Sequence, residues 1–160
     1  MEPRLNIFGS PVSAKLVKHL VAANKVVEDA GVPLTTQELV KIRASQINGC
    51  AGCLDMHTKE AVAAGETAVR LALVAAWREA KVFTEAERAA LALAEHGTRL
   101  ADGYGVPDEV WENATKHYDD DQLLALTSLI ALINAFNRLN VMLQVPAGDY
   151  VAGQAAAMHA

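Results

Sequence analysis

The sequence predicts an all-α protein. Apolar residues recur at helical spacing along most of its length, helix-starting and helix-stopping residues divide those stretches, and no segment alternates as a half-buried strand does. A chain of 160 residues suits one domain spanning 1–160, with its core over about 12–143 and a tail over 144–160.

Taken in order, Val12, Leu16, Leu20, Ala23 and Val27 form the stripe of a first helix that reaches Ala30 and stops at Gly31 and Pro33. Thr35 is placed as the N-cap of a second helix with Glu38 at its N3 position, a capping box, and Asn48-Gly49 ends it. A third helix starts around Cys50 and runs to Gly65 as its C′ glycine. Glu66 to Lys81 reads as a fourth. Thr84-Glu85-Ala86-Glu87 is a capping-type start for a fifth, reaching Asp102, and Pro107 suits the first position of a short sixth through His117. Asp119-Asp120-Asp121 puts negative charge at the positive end of the last helix, Leu123 to Leu143. Its run Leu129-Ile130-Ala131-Leu132-Ile133 predicts a central helix buried on most sides. Beyond Pro146 the Ala- and Gly-rich tail carries no pattern.

Composition narrows the classes. Hydrophobic residues make up 52% of the chain and aromatic residues 5%, so many small side chains must pack helices closely, and the apolar surplus predicts a homo-oligomer. The net charge of -5, with no cluster of Lys and Arg on one face, argues against a nucleic-acid partner. No secretory leader pattern opens the chain, and no apolar run reaches the roughly 18 residues of a membrane span. The expectation is a soluble, cytoplasmic protein without a membrane partner.

Chemistry concentrates at Cys50-Ala51-Gly52-Cys53, the chain's only cysteines. So close a pair closes too small a loop to be useful as a staple, and in a cytosolic setting it reads as redox chemistry or metal binding. On an ideal helix Cys50, Cys53 and His57 fall at roughly 0°, 300° and 340°, one stripe, with Cys53 and His57 at the i, i+4 spacing where side chains meet. An imidazole there can accept the thiol proton, and the thiolate is the nucleophile in disulfide and peroxide reactions. If the second helix folds back on the third, Glu38 can approach His57 and orient it, although the capping box offers that carboxylate another use.

Glu38, eleven intervening residues, then Cys50-x-x-Cys53-x-x-x-His57 resembles the signature of the alkylhydroperoxidase D family within the carboxymuconolactone decarboxylase superfamily. Trp77-Arg78-Glu79-Ala80, Glu85-Ala86-Glu87-Arg88-Ala89 and Asn134-Ala135-Phe136-Asn137-Arg138-Leu139 look like its downstream landmarks, so the likeness covers residues 35–140. The resemblance implies an all-α fold assembled as trimers or hexamers and a thiol-dependent peroxidase acting on organic hydroperoxides. It implies Cys53 as the peroxidatic thiol, Cys50 as the resolving thiol, and Glu38 and His57 as a proton relay. It also implies no bound cofactor, and reduction by an external dithiol, in the best-known members a dihydrolipoyl group on a partner protein. Those members carry a second histidine just before the second cysteine, where this chain has Gly52. Decarboxylases of the superfamily generally lack the cysteine pair.

Other readings stay open at this stage: a general thiol-disulfide oxidoreductase without efficient peroxidase activity, a zinc-binding module, or a structural homologue. Zinc would need Glu38 as its fourth ligand, since no second cysteine pair exists. A thioredoxin fold is disfavoured because Lys41 to Gln46 reads as helix where that fold needs a strand. His19, His96, His117 and His159 stand alone and read as surface or capping residues. Trp77 and Trp111 read as packing residues, and Asn134, Asn137 and Arg138 foremost as polar groups satisfied within the core and otherwise as groups facing a subunit contact.

Overall fold

The computed structural model describes residues 2–5, 9–103 and 105–154, and among them there are α-helices and short 3-10 turns but no strand. The helices are α1 (Pro11–Glu28), α2 (Leu34–Asn48), α3 (Ala51–Ala63), α4 (Ala68–Leu73), α5 (Glu85–Thr98), α6 (Asp108–Ala114) and α7 (Asp120–Leu143). The all-α expectation holds. The tail residues 155–160, His159 with them, lie outside the described residues.

Most boundaries follow from local chemistry. Thr84 and Glu87 form the capping box that opens α5, with Glu87 N–H on Thr84 Oγ1 at 3.2 Å and Thr84 N–H on Glu87 Oε2 at 2.7 Å. Asp119 and Gln122 do the same for α7. Gly65, at φ +100°, is the left-handed C′ residue after α3. Pro107 sits one position earlier than expected, as the N-cap of α6 rather than its first residue.

Two further boundary expectations need correction. The second helix opens one residue before Thr35, at Leu34 after Pro33, and no side chain caps it, so the Thr35/Glu38 capping box does not form. The fourth helix is short: Thr67 caps it through the Arg70 N–H at 3.2 Å, and after Leu73 it tightens into a 3-10 turn, Val74–Ala76, and then leaves helical form. The reason lies in Arg88 of α5. Its guanidinium donates to the carbonyls of Trp77, Ala80 and Arg78 at 2.9, 3.1 and 2.8 Å, binding outward-turned backbone groups that a continuing helix would use internally.

The helix surrounded on nearly every side is α2, not α7. It packs on α3, α5 and α7, and Leu39, Val40, Ile42 and Ala44 are buried together with Gln37, Glu38, Lys41 and Ser45. Val40 joins Leu93, Leu126, Leu129 and Ile130 in one apolar cluster, while Leu39 and Ile42 join Ala61, Val74, Trp77, Phe83 and Leu91 in another. α7 buries one side only: Leu126, Leu129, Ile133 and Asn137 face inward, and Leu124, Val141 and Met142 are exposed. By length and composition alone α7 would suffice to cross a membrane. Its packing against α1, α2, α3 and α5 and the bonded asparagines on its buried face are those of a core helix. Trp111, expected to pack, is 41% exposed.

Trp77 anchors the far side of α2. Its indole N–H donates to Glu95 at 3.0 Å, and Arg43 and Arg78 reach the same carboxylate at 3.1 and 2.8 Å. Arg78 also stacks over the Trp77 ring, 4.5 Å from its centroid. Burial pushes the Glu95 carboxyl up, but the bonds from Trp77 and Arg78 and the two guanidinium charges outweigh it and hold it at about 2. A carboxyl lowered on folding stabilises fully above its ordinary value of 4.5 and loses that contribution as pH falls toward about 2. Glu95→Gln should therefore destabilise the fold at neutral pH by on the order of 1–2 kcal/mol. Denaturant melts from pH 7 downward check this: the gap to wild type should close through the acid range, and a gap independent of pH contradicts the account.

Candidate active site

The turn between α2 and α3 is where the chemistry-bearing residues converge. Gly49, at φ +67°, ends α2 in the left-handed conformation, and Cys50 follows in extended backbone as the N-cap of α3. Cys50 therefore lies off the helical stripe expected for it. Its sulfur acts as the cap, accepting the Cys53 backbone N–H at 3.3 Å. Cys50 and Cys53 are joined as a disulfide, with their Cα atoms 5.4 Å apart. Both are buried, at 1% and 3% exposure, against Ala44 and Ile133.

Asparagines hold this turn on α7. The Asn48 amide donates to Asn134 Oδ1 and Asn137 Oδ1, each at 2.9 Å. Asn134 in turn donates to Thr98 Oγ1 and Asn137 to Ser45 Oγ, both at 3.0 Å, while Ser45 donates to the Lys41 carbonyl at 2.7 Å. Asn134 and Asn137 are thus satisfied within the chain, as expected, and Arg138 donates to the Asn134 carbonyl and side chain from the exposed side. One further turn along α7, Asn140 donates to Cys53 Sγ at 3.3 Å.

Glu38 and His57 meet across the α2–α3 pair. His57 Nδ1 lies 2.9 Å from Glu38 Oε2, and the other carboxylate oxygen takes the Lys41 ammonium at 2.9 Å. Lys41 is itself nearly enclosed, its side chain 5% exposed, with Glu28 as a second partner at 3.7 Å. Burial pushes the Glu38 carboxyl up, but the bond and charge of His57 and the charge of Lys41 outweigh it and hold it below the ordinary carboxylate range. With Nδ1 facing a carboxylate, the neutral imidazole carries its proton there and presents Nε2 as its acceptor nitrogen.

The chain beyond α7 closes over the same corner. Gln144 adopts a left-handed turn, and the segment runs back along α3, where Gly148 N–H and Tyr150 N–H donate to Asp55 at 2.7 and 3.2 Å. Lys59 donates to the Tyr150 carbonyl at 2.7 Å, and the Tyr150 hydroxyl bonds to Glu60. A Cβ on Gly52 would lie 3.7 Å from the Pro146 carbonyl and 3.9 Å from Val145 Cγ1. A side chain as large as histidine at that position would have to share its space with the returning segment.

All four residues singled out in the sequence, Cys50, Cys53, His57 and Glu38, thus lie at one corner, as two bonded pairs. Sequence reasoning missed Lys41, Asn48 and Asn140. For Asn140 the available signal is the three-residue spacing of Asn134, Asn137 and Asn140 on an apolar helix. His19 and His117 are exposed and His96 sits in the last turn of α5. Among the described residues, no group of three or more His, Cys, Asp and Glu side chains is arranged to hold a metal ion.

The family model of the carboxymuconolactone decarboxylase family matches residues 15–96. The uncharacterized protein YdfG of Bacillus subtilis is 41% identical over 125 residues, covering 78% of this chain and 84% of YdfG. The crystal structure of an Agrobacterium tumefaciens protein of unknown function, with a suggested AhpD-type role in antioxidant defence, superposes with a TM-score of 0.85 at 33% identity, covering 93% of this chain and all of that one. The debrominase Bmp8 in complex with 2,3,4-tribromopyrrole gives a TM-score of 0.72 over 90% of this chain and 74% of Bmp8, and at 16% identity that likeness is one of fold.

Lys41 is the residue whose removal should be felt most at this corner, because it leaves a buried carboxylate with His57 as its one side-chain partner. Lys41→Met should raise the Glu38 carboxyl above its wild-type position and lower stability at neutral pH by about 3 kcal/mol. Carbon NMR of the Glu38 carboxyl across pH, with a denaturant melt, checks both. An unmoved Glu38 titration in a fully stable variant would contradict the role given to the ammonium.

Proposed function

The chain belongs to the carboxymuconolactone decarboxylase family, and on that premise we propose that it is a thiol-dependent peroxidase reducing organic hydroperoxides through Cys50 and Cys53. The observation that carries the reading is the pairing of a cysteine disulfide with a Glu38–His57 contact of 2.9 Å, His57 standing one helical turn beyond Cys53. The cysteine pair favours redox chemistry over the decarboxylation that gives the family its name.

In the reduced protein, His57 Nε2 takes the proton of Cys53, and Glu38 stabilises the imidazolium that results. The Cys53 thiolate attacks the terminal oxygen of the hydroperoxide. The O–O bond breaks, Cys53 becomes a sulfenic acid, and the departing alkoxide takes the proton from His57 to leave as an alcohol. Cys50 then attacks the sulfenic sulfur and water leaves, forming the Cys50–Cys53 disulfide. As the N-cap of α3, the Cys50 sulfur accepts the Cys53 backbone N–H at the positive end of the helix, which lowers the cost of its own thiolate both as resolving nucleophile and as leaving group on reduction. An external dithiol, of the dihydrolipoyl kind on a partner protein, returns the pair to the reduced state. No bound cofactor is required, and we place the protein in the cytoplasm as a homo-oligomer of trimeric or hexameric type.

Gly52, set against Val145 and Pro146 instead of carrying a second imidazole, favours a second reading, that of a thiol-disulfide oxidoreductase with weak peroxide turnover. The two separate by experiment. On the peroxidase reading, Cys50→Ser completes one round with an organic hydroperoxide and accumulates a trappable sulfenic acid at Cys53, while Cys53→Ser does not react. Glu38→Gln and His57→Gln each slow the step at pH 7 by about 10²- to 10⁴-fold, recover part of the rate as pH rises and solvent removes the proton, and combine less than additively. Stopped-flow kinetics across pH, with melting curves to confirm folding, checks this. A sulfenic acid forming at Cys50 would reverse the assignment of the two thiols, and a fully active Glu38→Gln would remove the relay.

A further inference from the structure

We infer that Asn140 is a catalytic residue of the thiol site, the side-chain hydrogen-bond donor that stabilises the Cys53 thiolate. The inference rests on the reading of Cys53 as the reacting thiol. It adds a group that neither the cysteine-histidine spacing nor the family signature contains.

Three observations support it. Asn140 Nδ2 lies 3.3 Å from Cys53 Sγ, within hydrogen-bond reach of a sulfur acceptor. Glu38 holds His57 through Nδ1, which leaves Nε2 as a proton acceptor, so the donor to Cys53 Sγ is the Asn140 amide. Asn140 is also fixed from both ends. Its turn of α7 continues from Asn134 and Asn137, which the α2–α3 corner binds, and its own carbonyl accepts the Val145 N–H at 3.0 Å where the chain reverses.

A disulfide sulfur is a weak acceptor and gives an amide N–H little. The same sulfur as a thiolate carries a full charge, and the bond becomes charge-assisted and roughly twice as strong. The amide therefore favours the thiolate over the thiol and over the disulfide, without itself gaining or losing a proton. His57 and Asn140 divide the work: the imidazole removes the proton, and the amide holds the charge that remains. Asparagine suits this task because it donates at every working pH, whereas an acid at the same place would repel the anion.

The test is the ultraviolet thiolate titration of Cys53 in a Cys50→Ser background, where one thiol remains and no peroxide is involved. Asn140→Leu, close in shape and without a donor, should raise the thiol pKa by about one unit, which is about tenfold less thiolate below it. Asn140→Asp should raise it further. A purely structural asparagine would lower the melting temperature in both variants and leave the titration unmoved, and that result in folded protein overturns the inference. Should the variants fail to fold, the side-chain amide resonances of Asn140 in the otherwise unaltered single-thiol protein decide the matter. They should shift with the Cys53 titration, and amide resonances indifferent to it also overturn the inference. A shifted titration in a protein that consumes no hydroperoxide would leave Asn140 in this role and count against the peroxidase reading alone.

Discussion

The amide of Asn48, bonded at once to Asn134 and Asn137, is the interaction on which the site depends. It lies two residues before Cys50, at the point where α2 must end and α3 must begin. Asn137 is fully buried, so each of its polar atoms requires a partner or exacts a desolvation penalty of about 1–3 kcal/mol. Partners exist in one register of the corner against α7. That register makes Cys50 a helix cap, directs Cys53 toward the Asn140 amide, and lays α3 beside α2 so that His57 reaches Glu38.

A second constraint is electrostatic. Glu38 and Lys41 are both buried on α2, the helix surrounded on nearly every side, where an unpaired charge would be costly. The carboxylate divides its oxygens between Lys41 and His57, which keeps it ionised while holding the imidazole in one tautomer. Structure and chemistry use the same bond. The returning segment after α7 completes the enclosure, tied to Asp55, Lys59 and Glu60 on α3, and occupies the space beside Gly52.

Much of this was legible in the sequence. The helical period, the capping box at Thr84 and Glu87 and the C′ glycine at Gly65 follow from local spacing, and the meeting of Glu38 with His57 from the expectation that the second helix folds back on the third. The failures have a common cause. Thr35 and Glu38 spell a capping box, but burial beside Lys41 and His57 claims the carboxylate. Glu66 to Lys81 spells one helix, but Arg88, from the next element, binds the carbonyls at its end. The polar residues of α2, Glu38 and Lys41 among them, lie in the interior, and nothing in their local pattern marks Lys41 as buried. Asn140 touches a sulfur 87 residues away, a contact no periodicity announces. In each case a polar contact set by the packed fold, rather than the local pattern, decides the outcome.

A buried cysteine pair, a carboxylate–imidazole contact and an amide on the sulfur meet at one corner, and the thiol redox chemistry proposed for them can be tested directly. The most direct test treats the fully reduced, otherwise unaltered protein with one equivalent of an organic hydroperoxide and follows hydroperoxide loss together with intact mass and peptide mapping. The account predicts stoichiometric reduction of the hydroperoxide to its alcohol, with loss of two hydrogen atoms per chain and a Cys50–Cys53 disulfide. Free thiols persisting alongside undiminished hydroperoxide would contradict it.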